Sequence, residues 1–291
     1  LVFPGANERC DGAFEGRDDD CDGQVDEGCP FSVGVVHSPV RLHAPAATAP
    51  MPGLFLGPEL SADGLSLYYA HFGDRNAPLY VASRPTLRDE FEDPQAVDGT
   101  TDLGLRFVLL SITGDELEVF VQATSIAGTM TILAATRPTR TRAFETFAPV
   151  PAVMDSSGTQ VHPSISRDGL QLFYVHDTDI TTELRRVQRS DRSSPFGAHD
   201  VIVDDTDDPE FPRLWEDGRT LVYSSSASPR MRMLVRATPD QPFGPPRPFP
   251  HVTSGFEGSL YFFSSAAREM WFTIEGRHLQ APMDNAMFRA Q

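Results

Sequence analysis

The sequence has no lysine. All 24 of its basic residues are arginine, set against 41 Asp and Glu, for a net charge of −17 over 291 residues. Arg and Lys codons differ in GC content, so the missing lysine reads as lineage bias and not as function. A surface this acidic repels nucleic acid and anionic membranes, so neither is expected as a partner; metal cations or a basic partner suit it. No apolar run approaches the roughly 20 residues that span a bilayer, so no membrane span is expected. The chain opens at Leu1 without a positively charged leader, which reads as a signal peptide already removed. Cysteine is confined to Cys10, Cys21 and Cys29 and is absent from everything after them. That confinement implies a local staple and an oxidising compartment: extracellular, periplasmic or cell-surface. Three is an odd number, so at least one thiol is free or pairs elsewhere. The usual catalytic signatures are missing too. There is no GxSxG elbow, HExxH, P-loop or GxGxxG.

What is present falls into two parts. Residues 1–31 hold the stretch GRDDDCDGQVDEGCP, from Gly16 to Pro30, with six carboxylates in fifteen residues. Asp18, Asp20 and Asp22 follow a D-x-D-x-D pattern, and Gly23, Asp26 and Glu27 come next. Alternate oxygens, a turn glycine and a later carboxylate are the first half of a calcium loop, and hard oxygen donors favour Ca²⁺ over Zn²⁺. Cys29 stands where an EF-hand would place its bidentate Glu, and Pro30 blocks a following helix. An ordinary EF-hand is therefore not expected. The ligand set read here is Asp18, Asp20, Asp22, Gln24 through its carbonyl, Asp26 and Glu27, holding one Ca²⁺. Six carboxylates this close repel one another, so ordering them without a cation would cost several kcal/mol.

This stretch resembles the MopE-type acidic metal-binding motif of secreted and surface proteins of myxobacteria and related bacteria, and also thrombospondin type 3 calcium repeats. Cys10, Asp11, Gly12, Asp18, Asp20, Cys21, Asp22, Gly23, Asp26, Glu27 and Gly28 match. The insertion AFEGR lengthens the spacing between the first two cysteines beyond the family's. The resemblance implies a Cys10–Cys21 disulfide, whereas spacing alone leaves the pairing open.

Residues 32–291 repeat themselves. LSADGLSLYYAHF (60–72), LSITGDELEVFVQ (110–122), ISRDGLQLFYVHD (165–177) and LWEDGRTLVYSSS (214–226) align, with a degenerate copy, GFEGSLYFFSS, at 255–265. The turn glycines are Gly64, Gly114, Gly169, Gly218 and Gly258. Each unit predicts an apolar strand on either side of its turn. A third strand carries Arg with Thr or Ser, and a short fourth follows a Phe-x-x-Pro stretch. The second strands are continuous apolar runs, as strands buried on both faces are. Four-stranded units of this length stack face to face as a β-propeller.

The units resemble the TolB-like, or PD40, family of WD40-like repeats. Pro58, Ser61, Asp63 and Gly64 match its motif, as do Pro163, Ser166, Asp168 and Gly169, and Pro212, Asp217 and Gly218; Thr113 stands where blade two should have Asp. The expected fold is all-β: a five-bladed β-propeller of four-stranded blades with a short N-terminal metal-binding segment. HSPVRLHAP (37–45) is expected to supply the last blade's fourth strand and so close the ring.

Three acidic loops lead into the innermost strands: VDGTTDLG (97–104), MDSSGTQVHP (154–163) and VDDTDDPEFP (203–212). Their carboxylates are expected on one face of the ring. Asp98, His162, Asp205, Asp208 and Glu210 are the candidate ligand-binding residues at the channel mouth. Asx-turns account for Asp before Ser, Thr or Gly without any ligand. His71 and His176 follow the second strands at equivalent positions and read as repeat residues. The functional expectation is a monomeric binding or scaffold protein that engages a protein or glycan. The alternative is a glycoside hydrolase or polysaccharide lyase, since five-bladed propellers also host such enzymes. Sequence nominates no catalytic pair for it.

Overall fold

The computed structural model describes residues 54–72, 78–125, 128–178, 180–204, 207–215, 218–226, 231–249, 260–266, 269–274 and 287–290. The acidic segment 1–31, with its cysteines and Asp18, Asp20, Asp22, Gln24, Asp26 and Glu27, lies outside them, as do Asp205 and residues 37–45.

Within the described residues the protein is an all-β propeller. Blade one is β1 (Leu54–Leu60), β2 (Ser66–Phe72), β3 (Leu79–Ser83) and β4 (Gln95–Ala96). Blade two is β5 (Leu105–Ile112), β6 (Glu118–Ser125), β7 (Met130–Thr136) and β8 (Ala148–Pro149). Blade three is β9 (Thr159–Ile165), β10 (Gln171–Asp177), β11 (Thr182–Gln188) and β12 (Asp200–Val203). Blade four is β13 (Pro209–Leu214), β14 (Thr220–Ser225), β15 (Met231–Val235) and β16 (Arg247–Pro248). All are antiparallel meanders in sequence order. A further sheet has three strands, β17 (Leu260–Ala266), β18 (Glu269–Ile274) and β19 (Met287–Ala290). The innermost strands meet in a circle: β1 against β5, β5 against β9, β9 against β13, β13 against β17, and β17 against β1.

Where five four-stranded blades were expected, the described residues form four, plus the three-stranded sheet. The third strand of that unit falls at Met287–Ala290.

The hydrophobic core lies between blades. One cluster joins Tyr68, Ala70 and Leu79 of blade one to Phe107, Leu110 and Val119 of blade two. A second joins Phe120 and Ile132 to Ile165, Leu172 and Tyr174; a third joins Phe173 and Leu184 to Leu221 and Tyr223. Six successive residues of β6, and of β10, are buried, which is why those strands read as unbroken apolar runs.

Each of the first four blades is also latched at the turn after its innermost strand. Arg84, Arg137, Arg189 and Arg236 donate through Nε to the carbonyls of Gly64, Glu116, Gly169 and Gly218 at 2.7–2.8 Å. Each guanidinium also lies over a phenylalanine seven residues on, Phe91, Phe144, Phe196 or Phe243, 4.3–4.6 Å from the ring centre. This satisfies the turn carbonyl and adds a cation–π contact of about 1–2 kcal/mol. The seven-residue spacing from Arg to Phe was present in the sequence of each of these four units.

Candidate functional site

Antiparallel order puts the Asp-Gly turns at one end of the ring and the loops that enter the innermost strands at the other. The turn end is stitched across blade boundaries. Arg140 of blade two pairs with Asp63 of blade one at 3.3 Å, and Arg189 of blade three with Glu118 of blade two at 2.5 Å. Arg192 also pairs with Asp115 and donates to Thr113 Oγ1 at 2.8 Å. Toward this end, three blades send charges inward: Arg213 lies 3.7 Å and Arg167 3.5 Å from the two oxygens of buried Glu59. Burial raises the Glu59 pKa against the pull of both arginines.

The loop end differs. On entering it, the innermost strands bulge. Two residues of the inner strand stand opposite one on its neighbour at Gly57-Pro58, His162-Pro163 and Phe211-Pro212. Proline has no N–H to lose there, which suits a bulge. The residue before it takes a left-handed backbone: φ is 59° at Gly57, 56° at His162 and 50° at Phe211.

His162 and Phe211 thus occupy equivalent positions in adjoining blades, and their rings meet with centroids 3.9 Å apart and planes at 37°. The Phe211 N–H donates to His162 Nδ1 at 3.3 Å, so the imidazole carries its proton on Nε2. The His162 N–H donates to Gln122 Oε1 at 3.0 Å. Burial, then the Arg213 charge, holds the imidazole pKa down at about 3, and the ring is neutral at neutral pH.

Glu210 precedes Phe211 and is exposed at the same mouth. Desolvation raises its pKa, and so does the nearness of Asp208 and Asp177. Asp208 is half-buried with φ at 44°. Glu210 and Asp208 thus lie near each other, and Glu210 adjoins in sequence the Phe211 that meets His162. Asp98 is elsewhere: its carbonyl accepts the Phe144 N–H at 3.0 Å, beside the outer strand of blade one.

Other loop-end acids serve the fold. Asp155 accepts from Ser157 N and Oγ at 2.9 and 2.6 Å and from Arg185 at 3.0 Å, and these bonds depress its pKa. Asp207 accepts from the buried Tyr223 hydroxyl and pairs with Arg232 at 3.1 Å. Ser157, His176 and Asp155 look like a hydrolytic trio, but the geometry is wrong. Ser157 Oγ and Asp155 Oδ2 both face His176 Nε2, at 3.2 and 3.7 Å, while Nδ1 faces the Gln160 amide at 3.3 Å. A triad needs the acid on the opposite nitrogen from the nucleophile. Among the described residues, no group of three or more His, Cys, Asp or Glu could hold a metal ion.

The sequence had marked the mouth through its acidic loop and His162 but passed over Phe211, Gln122 and Asp177. The signal for Phe211 was the residue before each motif proline: Gly57, His162, Phe211.

By sequence, the chain matches no protein-family model and no curated protein. Solved structures share its fold. A thermostable family-43 glycoside hydrolase is similar at TM-score 0.58 and 15% identity, over 84% of this chain and 91% of that one. The α-L-arabinofuranosidase PaAbf62A of Podospora anserina, solved with cellotriose, is similar at TM-score 0.56 and 9% identity, over 86% and 94%. TolB of Acinetobacter baumannii is similar at TM-score 0.48 and 13% identity, over 82% of this chain and 55% of that one. At these identities the likeness to the two structures above a TM-score of 0.5 shows the fold alone, a β-propeller.

Proposed function

We propose that this is a secreted or cell-surface binding propeller that engages a protein or glycan through its loop end. The observation that carries the reading is the difference between the two ends of the ring. Interblade ion pairs occupy the turn end. The loop end carries the His162–Phe211 pair, a set of carboxylates, and the exposed apolar residues Leu103, Met154 and Ile180. Exposed apolar side chains beside carboxylates suit contact with a partner, and loops held on a fixed scaffold are where binding residues concentrate.

In the same reading the ring is five-bladed, with residues 37–45 as the outer strand of the last blade. The N-terminal segment holds Ca²⁺ through Asp18, Asp20, Asp22, Gln24, Asp26 and Glu27, with Cys10 and Cys21 joined. The test is a panel of glycans and cell-surface proteins probed with the full chain, with and without chelator. Binding that is lost on substituting loop-end residues supports the reading. Binding lost only on changes at the turn end refutes it.

A carbohydrate-active enzyme is the second reading. It is favoured by the raised pKa of Glu210 beside Asp208 and by the two glycosidase neighbours. A glycosidase needs an acid kept protonated and a second carboxylate across the bond. Release of reducing sugar from a polysaccharide panel, abolished in Glu210→Gln, would establish it in place of simple binding.

A further inference from the structure

We infer that His162 and Phe211 form a platform for the ring of a neutral sugar, with Glu210 and Asp208 accepting its hydroxyl hydrogens. The inference rests on the reading of the loop end as the binding surface, and it names the ligand class there.

The backbone is the first argument. A side chain in the left-handed region is disfavoured, and glycine fits it freely. Blade one has glycine at this bulge, with φ at 59°. Blades three and four have ring-bearing residues instead, at 56° and 50°. Strain of this kind persists where the side chain has a task. Both residues are only half-buried, so part of each is open to solvent.

The chemistry is the second argument. A sugar ring presents an apolar C–H face together with hydroxyls that both donate and accept. Phe211 offers an aromatic surface for the first. The neutral imidazole, its Nδ1 filled by the Phe211 N–H, offers one fixed donor, Nε2–H. The carboxylates offer acceptors. An anion would be repelled by Glu210, Asp208 and Asp177. A cation needs acceptors alone and gains nothing from a fixed donor. Only a neutral polyol uses the apolar ring, the donor and the acceptors together.

The experiment is calorimetric titration of the full chain with neutral xylo-, cello-, arabino- and galacto-oligosaccharides, and separately with a tetra-arginine peptide. The variants are Phe211→Gly and His162→Gly, chosen because glycine suits both backbones. Their thermal melts check the fold. The inference predicts saturable binding of at least one oligosaccharide, weakened at least about tenfold in each variant with the melting temperature preserved. It is overturned if no oligosaccharide binds at millimolar concentration, if sugar binding is unchanged in both variants, or if only the peptide binds. A protein partner bound at the loop end without any sugar would overturn this inference and leave the proposed function standing. Failure of both sugar and protein panels would remove the two together.

Discussion

Arg189 reaches from blade three to Glu118 of blade two, Nη2 to Oε2 at 2.5 Å, while its Nε holds the carbonyl of Gly169 at 2.7 Å. One guanidinium therefore closes its own blade's turn and fastens that blade to its neighbour. Both side chains are almost fully buried. Arg189→Ala leaves the Glu118 carboxylate without this partner and the Gly169 carbonyl without its donor. A loss of roughly 3–5 kcal/mol is expected in chemical denaturation. Arg189→Lys keeps the charge but not the fork, and should fall between the two.

The glycines give a paired prediction. A Cβ on Gly99 would sit 2.3 Å from the Phe144 carbonyl oxygen, with φ at +84°, whereas one on Gly128, with φ at +87°, meets nothing within 4 Å. Gly128→Ala should cost about 1 kcal/mol, from backbone strain alone. Gly99→Ala adds a clash with backbone that cannot step aside, and should cost roughly 2–4 kcal/mol. Thermal melts of the two variants measure the difference.

Stability should fall with acid through His162. Its pKa is about 3 in the folded protein, below the ordinary 6.5. As pH drops below 6.5 the unfolded chain takes up a proton that the folded one refuses. Stability is then lost at up to about 1.4 kcal/mol per pH unit until pH nears 3. Glu59 and Glu210, with raised pKa values, act in the opposite sense: their contribution is present below 4.5 and is lost as pH rises through the folded values. Both glutamates act alike in the parent and in a His162 variant, so the comparison isolates the histidine: the loss of stability from about pH 6.5 to 5 should be smaller in His162→Asn than in the parent.

Calcium should act on the N-terminal segment and leave the ring alone. The full chain is expected to take up one Ca²⁺ in equilibrium dialysis, and Asp20→Asn with Asp22→Asn should abolish uptake. Deleting residues 1–28 should leave the melting temperature nearly unchanged. Deleting 32–46 should lower it, because the last blade would lose its outer strand and expose an edge. Equal effects of the two deletions would contradict the two-part organisation.

The propeller was legible because its repeat rests on local chemistry. In LSADG and ISRDG, the Ser61 and Ser166 hydroxyls donate to Asp63 and Asp168 at 2.6 Å, and the turn glycines Gly64 and Gly169 take φ near 70–80°. Blade two corrects the alignment by two residues: Thr113 takes the place of Ser61 and donates to Asp115 at 2.7 Å, and Glu116, with φ at 62°, stands at the turn position where Gly114 was expected. The mouth was only half legible. Acidity marked the loops, but which carboxylates turn inward depends on partners far along the chain: Asp155 on Arg185, Asp207 on Tyr223 and Arg232. Phe211 was hidden because a phenylalanine before proline reads as core until its backbone is known.

The latch and the seams between blades have different consequences for assembly. The latch is common property: the same Arg, turn carbonyl and Phe recur in four blades. The seams are private. Blade two meets blade one through Arg140 and Asp63, blade three meets blade two through Arg189 and Glu118, and blade four meets blade three through Arg236 and the Gln171 amide oxygen at 3.0 Å. A chain of look-alike modules faces a sorting problem as it folds, since any blade could stack on any other. Edges that differ at these three junctions act as an address, since a shuffled order would break the nearly buried Arg189–Glu118 pair.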